Sequence, residues 1–171
     1  MDQPQGGCVI VNDLPRWEIT VSQSLTAIYV HIVFSTKDRE PFLSDPAVRA
    51  GLHAQLGEIS NRLGCPAIVT GGIDDHIHQL GHLGRTVSPA DWVKELKRVS
   101  NLWLKEQGDQ FKSFEWQRGY AGFSVSQSNV DQVKDYILNQ EEHHRKQSFQ
   151  DELRALLRKH NLAWDERYLW D

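Results

Sequence analysis

The order of strand-type and helix-type segments constrains the fold of this chain more than any other feature. Residues 27–35 (AIYVHIVFS) are dense in β-branched and aromatic side chains, which predicts a strand. Asp45-Pro46 has the pattern of a helix N-cap followed by proline, and apolar residues at helical spacing continue to Gly64, a common helix stop. The same patterns predict further strands at 67–73, 77–83 and 120–125, and further helices from Ser88 to Gly108, from Ser128 to about Lys146 and from Ser148 onward.

The resulting order, β-α-β-β-α-β followed by two helices, predicts an α+β fold of the ferredoxin-like (RRM-like) kind. In such a sandwich, two helices pack on a sheet of four antiparallel strands. Asp74-Asp75 predicts a tight hairpin between the second and third strands. Because RNA-recognition modules and many unrelated enzymes share this topology, the fold alone does not give the function.

Length and composition place the chain among single-domain proteins. Residues 1–23 are punctuated by glycine, proline and polar residues and are predicted to be a disordered extension, whereas residues 24–171 form the predicted domain. No apolar run approaches the roughly 20 residues that span a bilayer, and no signal-peptide pattern is present. We therefore expect no membrane partner and a cytoplasmic location. The net charge of −4 argues against a protein that coats nucleic acid through bulk positive charge, but it leaves room for a local basic face.

His76-Ile77-His78 is the first candidate for chemistry. Residues two apart on a strand point to the same face, so the two imidazoles lie side by side and Ile77 points toward the helices. Paired histidines are a reasonable start for a divalent metal site. The alternative is a pair of solvated histidines, since any strand can carry this pattern by chance. Asp75 is either a turn residue or a further partner of the pair, and His31 is most simply a packed sheet residue.

Tyr136 and Gln140 form the second candidate. Four residues apart on the predicted third helix, they share one face beside an apolar stripe. A tyrosine hydroxyl can attack a phosphodiester and form a covalent phosphotyrosine. A glutamine carbonyl can complete a metal shell that two histidines begin. Each residue taken alone also fits a structural role, Tyr136 at the edge of the core and Gln140 on the surface.

Together these residues resemble the HUH single-tyrosine transposases of small bacterial insertion sequences, which include the REP-associated tyrosine transposases. His76, Ile77 and His78 match the motif of histidine, bulky hydrophobic residue and histidine, and Tyr136 with Gln140 matches the tyrosine helix. The resemblance covers roughly residues 24–171. It includes the stretches IYVHIVFSTKDR at 28–39, WQRGYAGFSVSQS at 116–128, YILNQEEHHRKQSF at 136–149 and DERYLW at 165–170.

The resemblance implies an enzyme that cuts and rejoins single-stranded DNA next to hairpins at the ends of a mobile element. Tyr136 would be the nucleophile and form a 5′-phosphotyrosine, while His76, His78 and Gln140 would bind Mg²⁺ or Mn²⁺. It also implies a homodimer whose composite active sites join the tyrosine helix of one subunit to the histidine pair of the other. Two imidazoles suggest that Mn²⁺ binds more tightly than Mg²⁺, which is the more abundant ion.

Two basic groups are candidates for contact with DNA phosphates: Lys94, Lys97 and Arg98 on the second helix, and Arg145 and Lys146 after the tyrosine. Solvated helix surfaces explain them nearly as well. From another functional class, the alternative is a domesticated or inactive relative that acts as a single-strand or hairpin nucleic-acid-binding module. RNA-recognition modules stack bases on aromatic residues of the sheet face. This chain carries His76 and His78 on the corresponding strand, which favours the enzyme.

Overall fold

A computed structural model describes residues 25–170 of the chain. The predicted N-terminal extension, residues 1–23, lies outside the described residues. The strands are β1 (Tyr29–Ser35), β2 (Ala67–Gly72), β3 (His76–His82) and β4 (Ala121–Val125). The helices are α1 (Pro46–Arg62), α2 (Pro89–Glu106), α3 (Val130–Leu138), α4 (Gln140–His144), α5 (Phe149–Lys159) and α6 (Glu166–Leu169). None of the helices in residues 25–170 has both the length and the apolar character needed to cross a membrane.

The four strands form one antiparallel sheet in the order β2-β3-β1-β4, which confirms the ferredoxin-like prediction. The central strands β1 and β3 pair from Tyr29 opposite His82 to Ser35 opposite His76. The β2–β3 hairpin is present, and its pairing is irregular between Ala67 and Val69, opposite Gly81. Side chains on the two central strands are therefore fixed in register from both sides.

One face of the sheet packs on α1 and α2 and forms the main core. The N-terminal caps of these helices are as predicted: the Asp45 side chain accepts from the amides of Ala47 and Val48, and the Ser88 hydroxyl accepts from that of Asp91. Ile77 lies in this core, as its alternation with the two histidines predicts. The buried core side chains include Ile32, Phe34, Leu52, Leu56, Trp92 and Leu96.

The opposite face of the sheet is covered by the C-terminal third of the chain. The α3 residues Val130 and Ile137 pack on Leu80 of β3. From α5, Phe149, Leu153 and Leu157 pack on Val33 and Phe123 of the central and edge strands. A glutamine, Gln117, ties the end of the chain to this layer, because it accepts from the Ser35 hydroxyl and donates to the carbonyl of Leu169. This second layer positions the candidate site.

The third helix differs from its prediction, which had it continuous to about Lys146. It stops at Leu138, Asn139 adopts a non-helical backbone (φ −98°, ψ 20°), and the short helix α4 follows and ends at His144. The Asn139 side-chain amide donates to the Asp135 carbonyl at 2.8 Å and satisfies the end of the first segment. Tyr136 and Gln140 consequently lie on two successive helices.

Candidate active site

The two histidines of β3 are completely buried. His76 and His78 both show 0% exposure, and the sequence had left open whether they were solvated. They point away from the core that contains Ile77 and into the layer formed by α3, α4 and α5. The ring of Phe149 from α5 stacks on His76 at 4.2 Å between centroids, with 16° between the planes. Burial removes the solvated interpretation, so both imidazoles need partners inside the protein.

The orientation of each imidazole is set by a neighbouring side chain. Nδ1 of His76 lies 2.7 Å from the Asp75 carboxylate, which can only accept, so this nitrogen carries the proton. Nδ1 of His78 lies 2.9 Å from Nε2 of His31, itself buried on β1. A histidine that binds a metal through Nε2 usually donates its other N–H to such a partner. Asp75 and His31 are therefore in the positions of partners that orient a ligand pair.

Tyr136 and Gln140 meet at one carboxylate despite the break between their helices. The Tyr136 hydroxyl and the Gln140 amide Nε2 both donate to Oε1 of Glu152, the latter at 2.9 Å. The amide oxygen of Gln140 faces Nε2 of His76 at 3.5 Å. The structure thus brings together the candidate nucleophile and the three candidate ligands that the sequence analysis selected. The Tyr136 ring lies edge-on to His78, with centroids 6.0 Å apart.

Glu152 is the residue that the sequence analysis missed. It lies on α5, whose start is capped by the Ser148 hydroxyl, and it is only 5% exposed. Its Oε2 lies 3.5 Å from Nε2 of His78 and 3.9 Å from Nε2 of His76. The His144 Nε2 donates to the same oxygen at 3.0 Å. The sequence feature that could have identified Glu152 is a charged residue placed within the apolar stripe of a helix, between Phe149 and Leu153.

The donor set of this centre fits a divalent cation. The ligand atoms of His76, His78 and Glu152 lie within 4.8 Å of one another. Nε2 of His76 faces the Gln140 oxygen at 3.5 Å and Oε2 of Glu152 at 3.9 Å. Nε2 of His78 is buried without a hydrogen-bond partner among the described residues. Nε2 of His144 also lies 3.0 Å from the Gln140 oxygen, so the same imidazole reaches both oxygens that face the histidine pair. Two imidazole nitrogens, an amide oxygen and a carboxylate oxygen that converge in a buried site form a donor set that suits a divalent cation.

Burial and charge act on the protonation of this cluster. Burial lowers the pKa of His78, which keeps the imidazole neutral and available as a ligand. Burial raises the pKa of Tyr136, and the neighbouring Glu152 carboxylate raises it further, so the resting hydroxyl is protonated. Burial alone would raise the pKa of Glu152, but His144, His78 and Tyr136 hold that pKa well below its usual range. The resting cluster therefore combines an ionised Glu152 carboxylate with a neutral His78 imidazole and a protonated Tyr136 hydroxyl.

Four of the five basic residues selected from the sequence bond to groups outside this cluster. Lys97 donates to the carbonyls of Gln117 and Gly119, and Arg98 forms a paired hydrogen bond with Glu95. Lys94 is exposed on the same helix, and these side chains line a surface groove of about 590 Å³ together with Trp116 and Tyr120. Arg145 and Lys146 are exposed and both pair with Glu142.

The fold brings a histidine pair and a helix-borne tyrosine together on one face of its sheet, as the resemblance to the tyrosine transposases led us to expect. The chain belongs to that class: the family described as IS200-like transposases matches residues 24–140, which is more than half of the chain. Family membership confirms the resemblance drawn from the sequence motifs. It also places the chain among proteins of DNA transposition, in a family of DNA-cleaving enzymes.

Solved structures agree with this assignment at the level of the fold. A candidate transposase from Deinococcus radiodurans R1 is 24% identical, with a TM-score of 0.55, over 71% of this chain and 96% of that one. A REP-associated tyrosine transposase bound to a REP hairpin is 12% identical, with a TM-score of 0.54, over 72% of each chain. No curated protein is significantly similar to the sequence.

Proposed function

We propose that this chain cuts and rejoins single-stranded DNA beside hairpins, through a 5′-phosphotyrosine on Tyr136 and with a divalent metal held by His76, His78 and Gln140. The observation that carries the proposal is the convergence of these four side chains, from three separate elements, on one buried centre. The hairpin bound by the structurally similar REP-associated transposase supports a hairpin substrate for this chain.

Each residue of the centre has a separate role in the proposed cleavage reaction. The Tyr136 oxygen would attack the scissile phosphorus, the bond to the 3′ oxygen would break, and the products would be a tyrosine-linked 5′ end and a free 3′-OH. When bound, the cation would polarise the phosphate and favour the phenolate form of the tyrosine. Asp75 and His31 hold the imidazole orientations. Because the phosphotyrosine is itself an ester, a 3′-OH can reverse the attack without ATP.

A cavity of about 300 Å³ provides the approach to the tyrosine. It lies between α3 and α5 above strands β1 and β4, and Tyr136 and Glu152 form part of its wall. Amides and rings that suit an unpaired nucleotide line the remainder, among them Gln132, Gln147, Phe123, His143 and His160. A phosphate that enters by this cavity would meet the tyrosine hydroxyl before the buried histidines.

The test is incubation of the chain with hairpin-containing single-stranded DNA and Mn²⁺, followed by denaturing electrophoresis. Wild type is expected to form a covalent protein–DNA adduct, and Tyr136→Phe is expected to form none. His76→Ala and Gln140→Ala should lose cleavage yet keep much of the DNA binding, and chelation should stop the wild type. An adduct with Tyr136→Phe would exclude this tyrosine as nucleophile, and unchanged cleavage in both ligand variants would exclude this metal site.

The family resemblance predicts a cytoplasmic homodimer with composite sites, whereas within one chain Tyr136 already lies against its own histidine pair. Mixing His76→Ala with Tyr136→Phe separates these arrangements. Composite sites regain cleavage in the mixture, because one of the two sites receives an intact tyrosine and an intact pair. Sites assembled within one chain stay inactive. Light scattering of the wild type measures the assembly state independently.

The burial of the centre favours a second candidate function, a relative that binds hairpins without cutting them. His76, His78 and Gln140 are at most 1% exposed, so DNA has no direct access to the ligands in this conformation. Tight binding of the hairpin oligonucleotide by the wild type, with no adduct in Mg²⁺ or Mn²⁺, would favour the binding module.

A further inference from the structure

Glu152 faces all four residues that the sequence analysis selected for the centre: Tyr136, Gln140, His76 and His78. Its Oε1 accepts from Tyr136 and Gln140, and its Oε2 accepts from His144 and faces both histidines of β3. A carboxylate that is 5% exposed would be costly to bury without such partners. Direct arginine or lysine partners are absent from the contacts of Glu152 within residues 25–170.

We propose that Glu152 is a metal ligand through Oε2 and a positioning residue through Oε1, so that α5 completes the centre that β3 and α4 begin. This inference rests on the proposed function only for the presence of a divalent ion. It adds a fourth protein ligand to the two histidines and the glutamine, from an element that lies beyond the part of the chain matched by the family.

The charge of the ligand set supports a role for Glu152. Two neutral imidazoles and an amide carry no charge, whereas Mg²⁺ and Mn²⁺ prefer oxygen ligands and are usually held by at least one carboxylate. The Glu152 carboxylate supplies one negative charge beside the histidine pair, because its Oε2 lies 3.5 Å from Nε2 of His78. The exposed acids of the neighbourhood are engaged elsewhere: Glu141 pairs with Arg49, and Glu142 pairs with Arg145 and Lys146.

The other carboxylate oxygen of Glu152, Oε1, sets the positions of two further side chains, those of Gln140 and Tyr136. An amide can present either its oxygen or its nitrogen to a cation, and only the oxygen binds. The hydrogen bond from Nε2 of Gln140 to Oε1 of Glu152 selects the orientation in which the Gln140 oxygen faces His76. The same Oε1 accepts from the Tyr136 hydroxyl, so the nucleophile is held beside the cation position.

The test measures Mn²⁺ binding to the full chain by calorimetry and by electron paramagnetic resonance, without DNA. Glu152→Gln keeps the shape and a hydrogen-bond acceptor but removes the charge, and we expect its affinity for Mn²⁺ to fall roughly tenfold or more. Glu58→Gln is the matched control, because Glu58 is an exposed acid of α1 whose replacement changes the net charge equally. Its affinity should equal that of the wild type.

Affinity of Glu152→Gln within twofold of the control would overturn the inference. If Glu152→Gln does not fold, the same measurement is made on Glu152→Asp, which keeps the charge but is shorter by one methylene. Wild-type affinity of Glu152→Asp for Mn²⁺ would then contradict ligation by Glu152. The proposed function fails in a different way, when wild type binds Mn²⁺ through Glu152 but never forms a DNA adduct. The inference fails alone when cleavage requires Mn²⁺ but Glu152 does not affect the affinity.

Discussion

Gly71 provides a direct test of how the tyrosine helix is seated on the sheet. It lies on β2 opposite His78, and a Cβ at this position would lie 2.6 Å from the carbonyl oxygen of Ile137 and 2.8 Å from its Cγ2 atom. Ordinary contact begins near 3.4 Å, so Gly71→Ala requires α3 to move away from the sheet by about 0.8 Å. Tyr136 precedes Ile137 and moves with it.

Two opposing effects decide how much the Gly71→Ala substitution changes the stability of the fold. Alanine in a strand gains roughly 0.5–1 kcal/mol over glycine through backbone entropy, whereas overpacking against a helix backbone costs about 1–3 kcal/mol. The steric effect is larger, and we expect Tm to fall by roughly 2–8 °C. Since a 1 Å displacement near the chemistry can cost about a hundredfold, the rate of adduct formation should fall on the order of tenfold or more.

The assay is thermal unfolding followed by circular dichroism, together with the rate of adduct formation under single-turnover conditions. Gly57→Ala is the matched control, because a Cβ there meets nothing within 4 Å and alanine favours the helix α1. The control should be as stable as the wild type or more stable. A Gly71→Ala variant with wild-type Tm and wild-type rate would refute the close seating of α3 on β2.

Three further predictions follow from buried polar groups and from the proposed metal centre. Gln79 is fully buried with both amide atoms unpartnered among the described residues, so Gln79→Met should raise the free energy of unfolding in urea by about 1–3 kcal/mol; a lower value contradicts this reasoning. Burial, with Arg49 nearby, lowers the pKa of His53 to about 4, below its unfolded value near 6.5. The stability contributed by neutral His53 is present above about pH 6.5 and is lost as the pH falls through about 4, so His53→Gln should flatten the decline in Tm over that window. An unchanged decline would exclude His53 as its source. Excess Mn²⁺ should raise the Tm of the wild type and leave that of His76→Ala unchanged; an equal rise in both would place the ion elsewhere.

Local sequence patterns were sufficient to predict the strands of the sheet and the face of the sheet on which the histidines lie. The alternation of His76, Ile77 and His78 fixes which side chain enters the main core, because the period of a strand is two residues. The caps at Asp45 and Ser88 depend on atoms only two or three residues apart, and both helices begin where these caps predict. Such features need no knowledge of the tertiary structure.

The break at Asn139 could not be derived in the same way. The sequence around Tyr136 and Gln140 has the periodicity of one continuous helix, and a four-residue spacing on such a helix already places both side chains together. In the structure the helix ends at Leu138, and the two side chains meet through Glu152 instead. The grouping of residues was predictable, but the way in which the backbone achieves it depends on packing against β2 and α5.

Glu152 and His144 required the tertiary fold. Glu152 lies 74 and 76 residues from the histidines that it faces, and no local pattern encodes that approach. No local pattern singled out His144, but its imidazole donates to Glu152 and lies 4.6 Å from the ring of His76. The placement of α5 by Phe149 and Leu153 determines both contacts, and only the folded chain contains that information.

The interruption at Asn139 also bears on how Tyr136 and Gln140, the proposed nucleophile and metal ligand, could move. Within a single helix, Tyr136 and Gln140 would be parts of one rigid body, and any displacement of the tyrosine would carry the glutamine with it. With the non-helical residue Asn139 between them, a change in the backbone at that residue alone would be enough to move the tyrosine without α4. A tyrosine that becomes attached to a DNA strand could then follow that strand while the coordinating residues keep their positions for the reverse reaction.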